Sequence, residues 1–341
     1  MENTDPVSSQ FPGDHSSSVP GSAISGISAV NYPPKPELED TKNKTNAWTR
    51  SLSSLALYFV IGYFFFNRDW LLVLVLTGVV VFHEMGHFLA MKLYKYTDLG
   101  IFFIPLLGAY ASGSKREVSQ TQSALIILAG PVPGIIVGVI LYFLAIQQDN
   151  LFLEKTSIIL ILLNLLNLIP IYPLDGGQLI NRLFLDESAI IGKIFVIASS
   201  LLLAWFFIKL GNNNMSFYVL LLFPVMMLMR LFTDIKHERL VNEIEKEGVD
   251  LNVAYEDITD EQYWKIRNAV IKHHPDLAGI PPAPPYQYSE QEEKIVSIMQ
   301  SLLQRVIIMD LSLAGKILIL LLWIGCFAVP VLIKMPLRIF Y

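Results

Sequence analysis

The sequence predicts an all-α protein that crosses a membrane six to seven times and carries one polar helical insertion. Three observations predict it. Hydrophobic residues make up 53% of the 341 residues, and the mean hydropathy is +0.49. Charged residues make up only 16%, against about 25% in ordinary soluble domains. The apolar residues gather in runs near the roughly 20 residues that a helix needs to cross hydrocarbon. A large soluble helical core is the plainer alternative, and runs of that length with hardly any charge speak against it. The net charge of -5 argues against a nucleic-acid partner. The single cysteine, Cys326, excludes a disulfide framework and a thiolate metal site.

Residues 1–45 are rich in Ser, Pro, Gly and Asp. They hold too few large apolar residues to bury, so they read as a disordered tail. No basic patch followed by an apolar core opens the chain, so no secretory signal is expected, which fits a bacterial inner membrane. The membrane core, 46–233, contains apolar runs near 52–66, 71–94, 124–146, 156–169, 189–210 and 216–232. A last run covers 311–333 within the C-terminal segment 309–341. The first and fourth runs are short for a span.

Orientation follows from Lys and Arg near the span ends. With the N-terminus cytoplasmic and seven spans, the inner flanks hold Lys42, Lys44, Arg50, Lys92, Lys95, Lys115, Arg116, Arg182, Arg230, Lys236 and Arg239. The outer flanks hold Arg68, Lys155, Lys209, Lys334 and Arg338. The polar insertion, 234–308, is then cytoplasmic. Segments 240–247, 261–273 and 289–305 have the apolar spacing of helices, and the proline-rich stretch 280–286 reads as a stiff linker between them.

The second run contains His83-Glu84-Met85-Gly86-His87. On a helix the two histidines lie four apart on one face. Two imidazoles so spaced can share a zinc ion, and Glu84 can act on water beside it. An acid at mid-membrane costs about 2.5 to 3.5 kcal/mol, so it needs a compensating partner. A neutral Glu with interhelically bonded histidines is the alternative.

A catalytic zinc site takes three protein ligands and leaves one position open. Asp175 is the candidate third ligand. It follows the fourth run directly, in Asn167-Leu168-Ile169-Pro170-Ile171-Tyr172-Pro173-Leu174-Asp175-Gly176-Gly177. With seven spans it lies at a depth similar to that of the histidines. Pro170 and Pro173 should break the helix there, and the glycines let backbone approach closely. The competing role for Asp175 is a helix N-cap at the membrane surface. Asn164 and Asn167 share a face of the fourth run. Asn164 reads as an interhelical hydrogen-bonding amide.

The pentapeptide together with the Asn167 to Gly177 stretch resembles the site-2 protease family of intramembrane zinc metalloproteases. The resemblance covers about residues 70–185. It implies one zinc per chain held by His83, His87 and Asp175, with Glu84 as general base and Asn167 near the reacting carbonyl. It implies a transmembrane protein substrate cut within the lipid bilayer, as in regulated intramembrane proteolysis. It also implies a small membrane-embedded β-hairpin at 99–110, whose edge can accept an unwound substrate segment. An interfacial loop packed on the bundle accounts for the same composition. Where the family often has Gly-Pro-x-x-Asn, this chain has Gly130-Pro131-Val132-Pro133-Gly134. The Gly130, Gly134 and Gly138 spacing reads as a small-residue face for close helix packing. Rival readings are a membrane metal-binding or transport protein, or a non-proteolytic scaffold.

Overall fold

A computed structural model describes residues 32–37, 47–105, 108–115, 117–185, 189–213, 215–251, 253–303 and 306–335. Residues 1–31 and 38–45 of the expected tail, and residue 46, lie outside the described residues. Residues 32–37 do not conform to the tail expectation. They lie against the insertion, because Trp264 and tyrosines there supply hydrogen-bond donors for their carbonyls.

The apolar runs are helices. The first two are α1 (Ala47–Phe65) and α2 (Trp70–Leu93). Asp69 caps α2 by accepting from the Leu72 N–H, which satisfies one of the free donors of the first turn. A hairpin follows, β1 (Thr97–Ile104) and β2 (Gly108–Ser114), antiparallel with Ile101 opposite Ala111. The third run is two helices in one stretch, α3 (Gln120–Ala129) and α4 (Pro131–Gln148), parted at Gly130-Pro131. Proline has no N–H to continue α3 and suits the start of α4. Then come α5 (Leu151–Asn167), the short α6 (Asp175–Ile180), α7 (Ala189–Asn213) and α8 (Leu222–Lys246). The chain ends with α9 (Asp260–His273), α10 (Glu292–Leu302), a strand Val306–Ile308 and α11 (Leu313–Leu332).

Among the described residues, 5 stretches are long and apolar enough to cross a membrane: Trp70–Leu93, Gln120–Gln148, Ile190–Asn212, Phe217–Lys246 and Leu313–Leu332. α1 and α5 are the two short runs, and α5 has only 17 residues. The protein is an integral membrane protein. Ile190, Leu201, Phe232, Leu318 and Val331 are exposed on its outer faces, as side chains meeting lipid are.

Among the described residues, two separate cores result. One joins α3, α4, α5, α6 and α11 around Ile127, Ile158, Ile161, Leu165, Leu179 and Ile319. The other belongs to the insertion and joins the end of α8 to α9 and α10 around Ile244, Tyr263, Trp264, Ile266, Ile295 and Met299. α8 runs unbroken from the apolar stretch into this second core, past residue 234. The proline-rich stretch is no free spacer: the Asn268 amide bonds both the N–H and the carbonyl of Ala283, and Tyr286 packs on Trp264. The insertion is also not wholly helical. The strand Val306–Ile308 pairs in parallel with Glu117–Ser119, the short strand that precedes α3. In chain order Glu117–Ser119 is β3 and Val306–Ile308 is β4. Local periodicity carries no signal for a three-residue pairing across that sequence distance.

Candidate metal centre

α2 carries His83, Glu84 and His87, all buried. The heptad around them has room because residue 86 is glycine. A Cβ there would stand 2.0 Å from the Ala129 carbonyl oxygen, so α2 and the α3–α4 junction touch backbone to backbone. Asp175 comes from the other side. α5 stops at Asn167, the Pro170 to Pro173 turn reverses the chain, and Asp175 is the first residue of α6. It is not a side-chain cap of that helix; its carboxylate faces the histidines.

The His83 Nε2 and His87 Nε2 atoms stand 3.0 and 3.3 Å from Asp175 Oδ2, and 3.1 Å from each other. Among the described residues this is the one group of three or more such side chains with ligand atoms close together. Two imidazole nitrogens aimed at each other repel unless a cation lies between them. Zinc bonds of about 2.0–2.1 Å at tetrahedral angles separate neighbouring donor atoms by about 3.3 Å. The observed spacings match those edges, so the residues fit the ion.

The other ring nitrogens are spoken for. His83 Nδ1 lies 2.8 Å from the Asn164 side-chain oxygen, and His87 Nδ1 lies 2.8 Å from the Ile126 carbonyl oxygen. Each pairing holds the proton on Nδ1 and leaves the Nε2 lone pair free for a metal. The Asn164 amide is itself fixed, donating to the Leu160 carbonyl at 2.7 Å. The glycine stripe on α4 clears the space for both supports. A Cβ on Gly134 would sit 2.3 Å from the Asn164 nitrogen, and one on Gly130 would sit 2.3 Å from His87 Nε2. The stripe therefore serves the site as well as helix packing. Asn164 has the interhelical bond expected of it, but its partner is a ligand histidine, which sequence spacing alone does not reveal. Asn167 is half-buried at the end of α5. No hydrogen bond joins it to the cluster among the described residues.

Glu84 is not among the three clustered ligand residues. Its Oε2 atom is buried without a hydrogen-bond partner among the described residues. The Ala111 N–H of β2 lies near its carboxylate. The hairpin leans one edge on α1, where Ser51 and Ser54 hydroxyls accept from the Ile101 and Phe103 N–H groups of β1. Ile101 and Ala111 are opposite each other, and the Ile101 N–H points outward. The Ala111 N–H thus also points away from the ladder, and β2 turns its free edge toward Glu84.

The family model of peptidase family M50 matches residues 71–155. The match includes His83, Glu84 and His87 and ends before Asp175, so the third carboxylate rests on the geometry above. A curated relative, a zinc metalloprotease of Methanocaldococcus jannaschii, is 27% identical over 215 residues. The alignment takes in 60% of this chain and 60% of the relative, so the chain spans less than two thirds of that relative's length. A solved structure, the site-2 protease from Methanocaldococcus jannaschii, is 24% identical to this chain. It is matched over 53% of this chain and 87% of that one, with a TM-score of 0.40.

Proposed function

We propose that the chain is an intramembrane zinc metalloendopeptidase of the site-2 protease type, cutting membrane-spanning proteins. The observation that carries this reading is the meeting of His83, His87 and Asp175 with Glu84 beside them, facing a free strand edge. The M50 match and the zinc metalloprotease relative support it.

His83, His87 and Asp175 would hold the metal through Nε2, Nε2 and Oδ2. When bound, zinc supplies Lewis acidity that brings the pKa of water toward neutrality and polarises a carbonyl. Glu84 takes the proton from the attacking water and later returns it to the leaving nitrogen. An unwound substrate segment adds to the β2 edge, which holds its scissile bond near Glu84. Asn167 then donates to the substrate carbonyl. Water is excluded elsewhere by the packed faces of α2, α4 and α5.

The test is elemental analysis and cleavage of a transmembrane substrate by the purified chain. Wild type should hold about one zinc per chain. Glu84→Gln should keep it and lose at least 10²-fold in rate, the usual lower bound for a general base. His83→Ala, His87→Ala and Asp175→Ala should lose the metal. Asn167→Ala should lower kcat and leave zinc in place. Near wild-type cleavage by Glu84→Gln would overturn the mechanism; loss of its zinc would make Glu84 a ligand and favour metal binding or transport.

A further inference from the structure

Residues 32–37 read Tyr32-Pro33-Pro34-Lys35-Pro36-Glu37. Each proline fixes its own φ near about −65° and keeps the residue before it out of the helical region. Such a segment favours a polyproline helix before it meets anything. That helix makes no internal hydrogen bonds, so its carbonyls are free to be read.

The insertion reads them. The Trp264 indole N–H donates to the Pro33 carbonyl at 2.9 Å, and the Tyr255 hydroxyl donates to the Pro36 carbonyl at 2.9 Å. The Tyr288 hydroxyl donates to the Pro34 carbonyl. The Tyr32 ring meets Tyr286 edge-on at 5.2 Å. Tyr288 in turn stacks on Trp264. Lys35 is held more closely still. Its N–H donates to Asp260 at 2.8 Å. Its ammonium donates to the carbonyls of Tyr255, Glu256 and Ile258 at 2.9, 2.6 and 2.7 Å. It also lies 5.6 Å from the Tyr255 ring centre.

This is recognition rather than simple core packing. The polar contacts go to the carbonyls of Pro33, Pro34 and Pro36 and to Lys35, which a buried apolar plug would not need. The donors are amphipathic aromatic tips, the chemistry of grooves that bind polyproline helices. Trp264 is 1% exposed with the segment in position. Without the segment, its N–H loses its acceptor.

We propose that the aromatic face formed by Tyr255, Trp264, Tyr286 and Tyr288 is a binding site for polyproline segments of the Pro-Pro-Lys-Pro kind, with residues 32–36 as its resident ligand. The site belongs to the insertion and is independent of the catalytic reading. Because the ligand is on the same chain, its effective concentration is on the order of millimolar, and a dilute free peptide is excluded.

The test uses the full chain in detergent micelles and a fluorescein-labelled Tyr-Pro-Pro-Lys-Pro-Glu peptide, read by anisotropy. Two variants open the face by different means: Lys35→Met, and Pro33→Ala with Pro34→Ala. At least one should bind the peptide ten-fold or more tightly than wild type. Adding Tyr288→Phe to that variant removes one donor from a half-exposed ring and should weaken binding at least three-fold. A peptide with Glu in place of Lys should bind at least ten-fold more weakly. The proposal is overturned if neither variant binds better than wild type, if Tyr288→Phe changes nothing, or if the Glu peptide binds equally.

Discussion

Asn164 has one amide to spend and spends both ends of it. Its nitrogen holds the Leu160 carbonyl, so its oxygen can meet only the His83 Nδ1 proton. Supports of this kind typically contribute 10- to 100-fold to metal affinity. Asn164→Ala should therefore weaken zinc binding by about that factor, measured by competition with a chromogenic chelator, while the helices stay folded. Unchanged affinity would reduce Asn164 to a packing residue. That His83 and His87 share a helix face was legible in sequence, because a spacing of four residues fixes it. Asp175 was legible because two prolines and two glycines around an acid make little sense as plain helix. The partner of Asn164 was not, since it depends on α5 lying against α2 with Gly134 opposite, and no local pattern encodes that crossing.

At the scale of elements, the hairpin brings the outer edge of β2 close to Glu84. The Ala111 N–H faces Glu84 and is not part of the β1–β2 ladder. Ala111→Pro deletes that donor on a strand edge, where proline is tolerated. Zinc content should be unchanged and cleavage should fall ten-fold or more; full activity would remove β2 from the substrate path. The insertion offers a second element-scale test. Arg267 and Glu292 pair through two bonds, at 2.6 and 2.9 Å, and Arg267 is buried. Burial pushes the Glu292 carboxyl up. Hydrogen bonds from Arg267, Tyr263 and the Ser289 N–H outweigh that and hold it below its ordinary value. A carboxyl lowered on folding adds stability above its unfolded pKa of about 4.3, and that stability is lost as pH falls through the lower folded value. Breaking a buried pair costs about 3–5 kcal/mol. Glu292→Gln should therefore melt well below wild type at pH 7, with the two curves converging in acid. Parallel curves at all pH values would contradict the pairing.

The whole molecule is a membrane bundle with a folded polar unit hung between α8 and α11. The long helices were legible from hydropathy, and α9 and α10 from their apolar spacing. The tight fit of residues 32–37 and the β3–β4 pair were not, because both join segments far apart in sequence. We propose that the insertion is cytoplasmic, on the Lys and Arg asymmetry of the span ends. Labelling with an impermeant thiol reagent in intact cells tests this. Ser289→Cys should stay unlabelled until the cells are opened, and labelling beforehand would reverse the orientation.

The β3–β4 splice also sets a timetable. Asp310 accepts from the Ser119 hydroxyl and from the Thr121 N–H, binding the start of α3 from 191 and 189 residues downstream. α3 carries the Ile126 carbonyl that holds His87. Chains are synthesised at about 5–20 residues per second, so roughly 10–40 s separate the birth of α3 from the arrival of its anchor. For that interval the nascent chain has its histidine pair in the bilayer but lacks the clasp at the start of α3. A site assembled in this order receives this brace only after α8, α9 and α10 have been made.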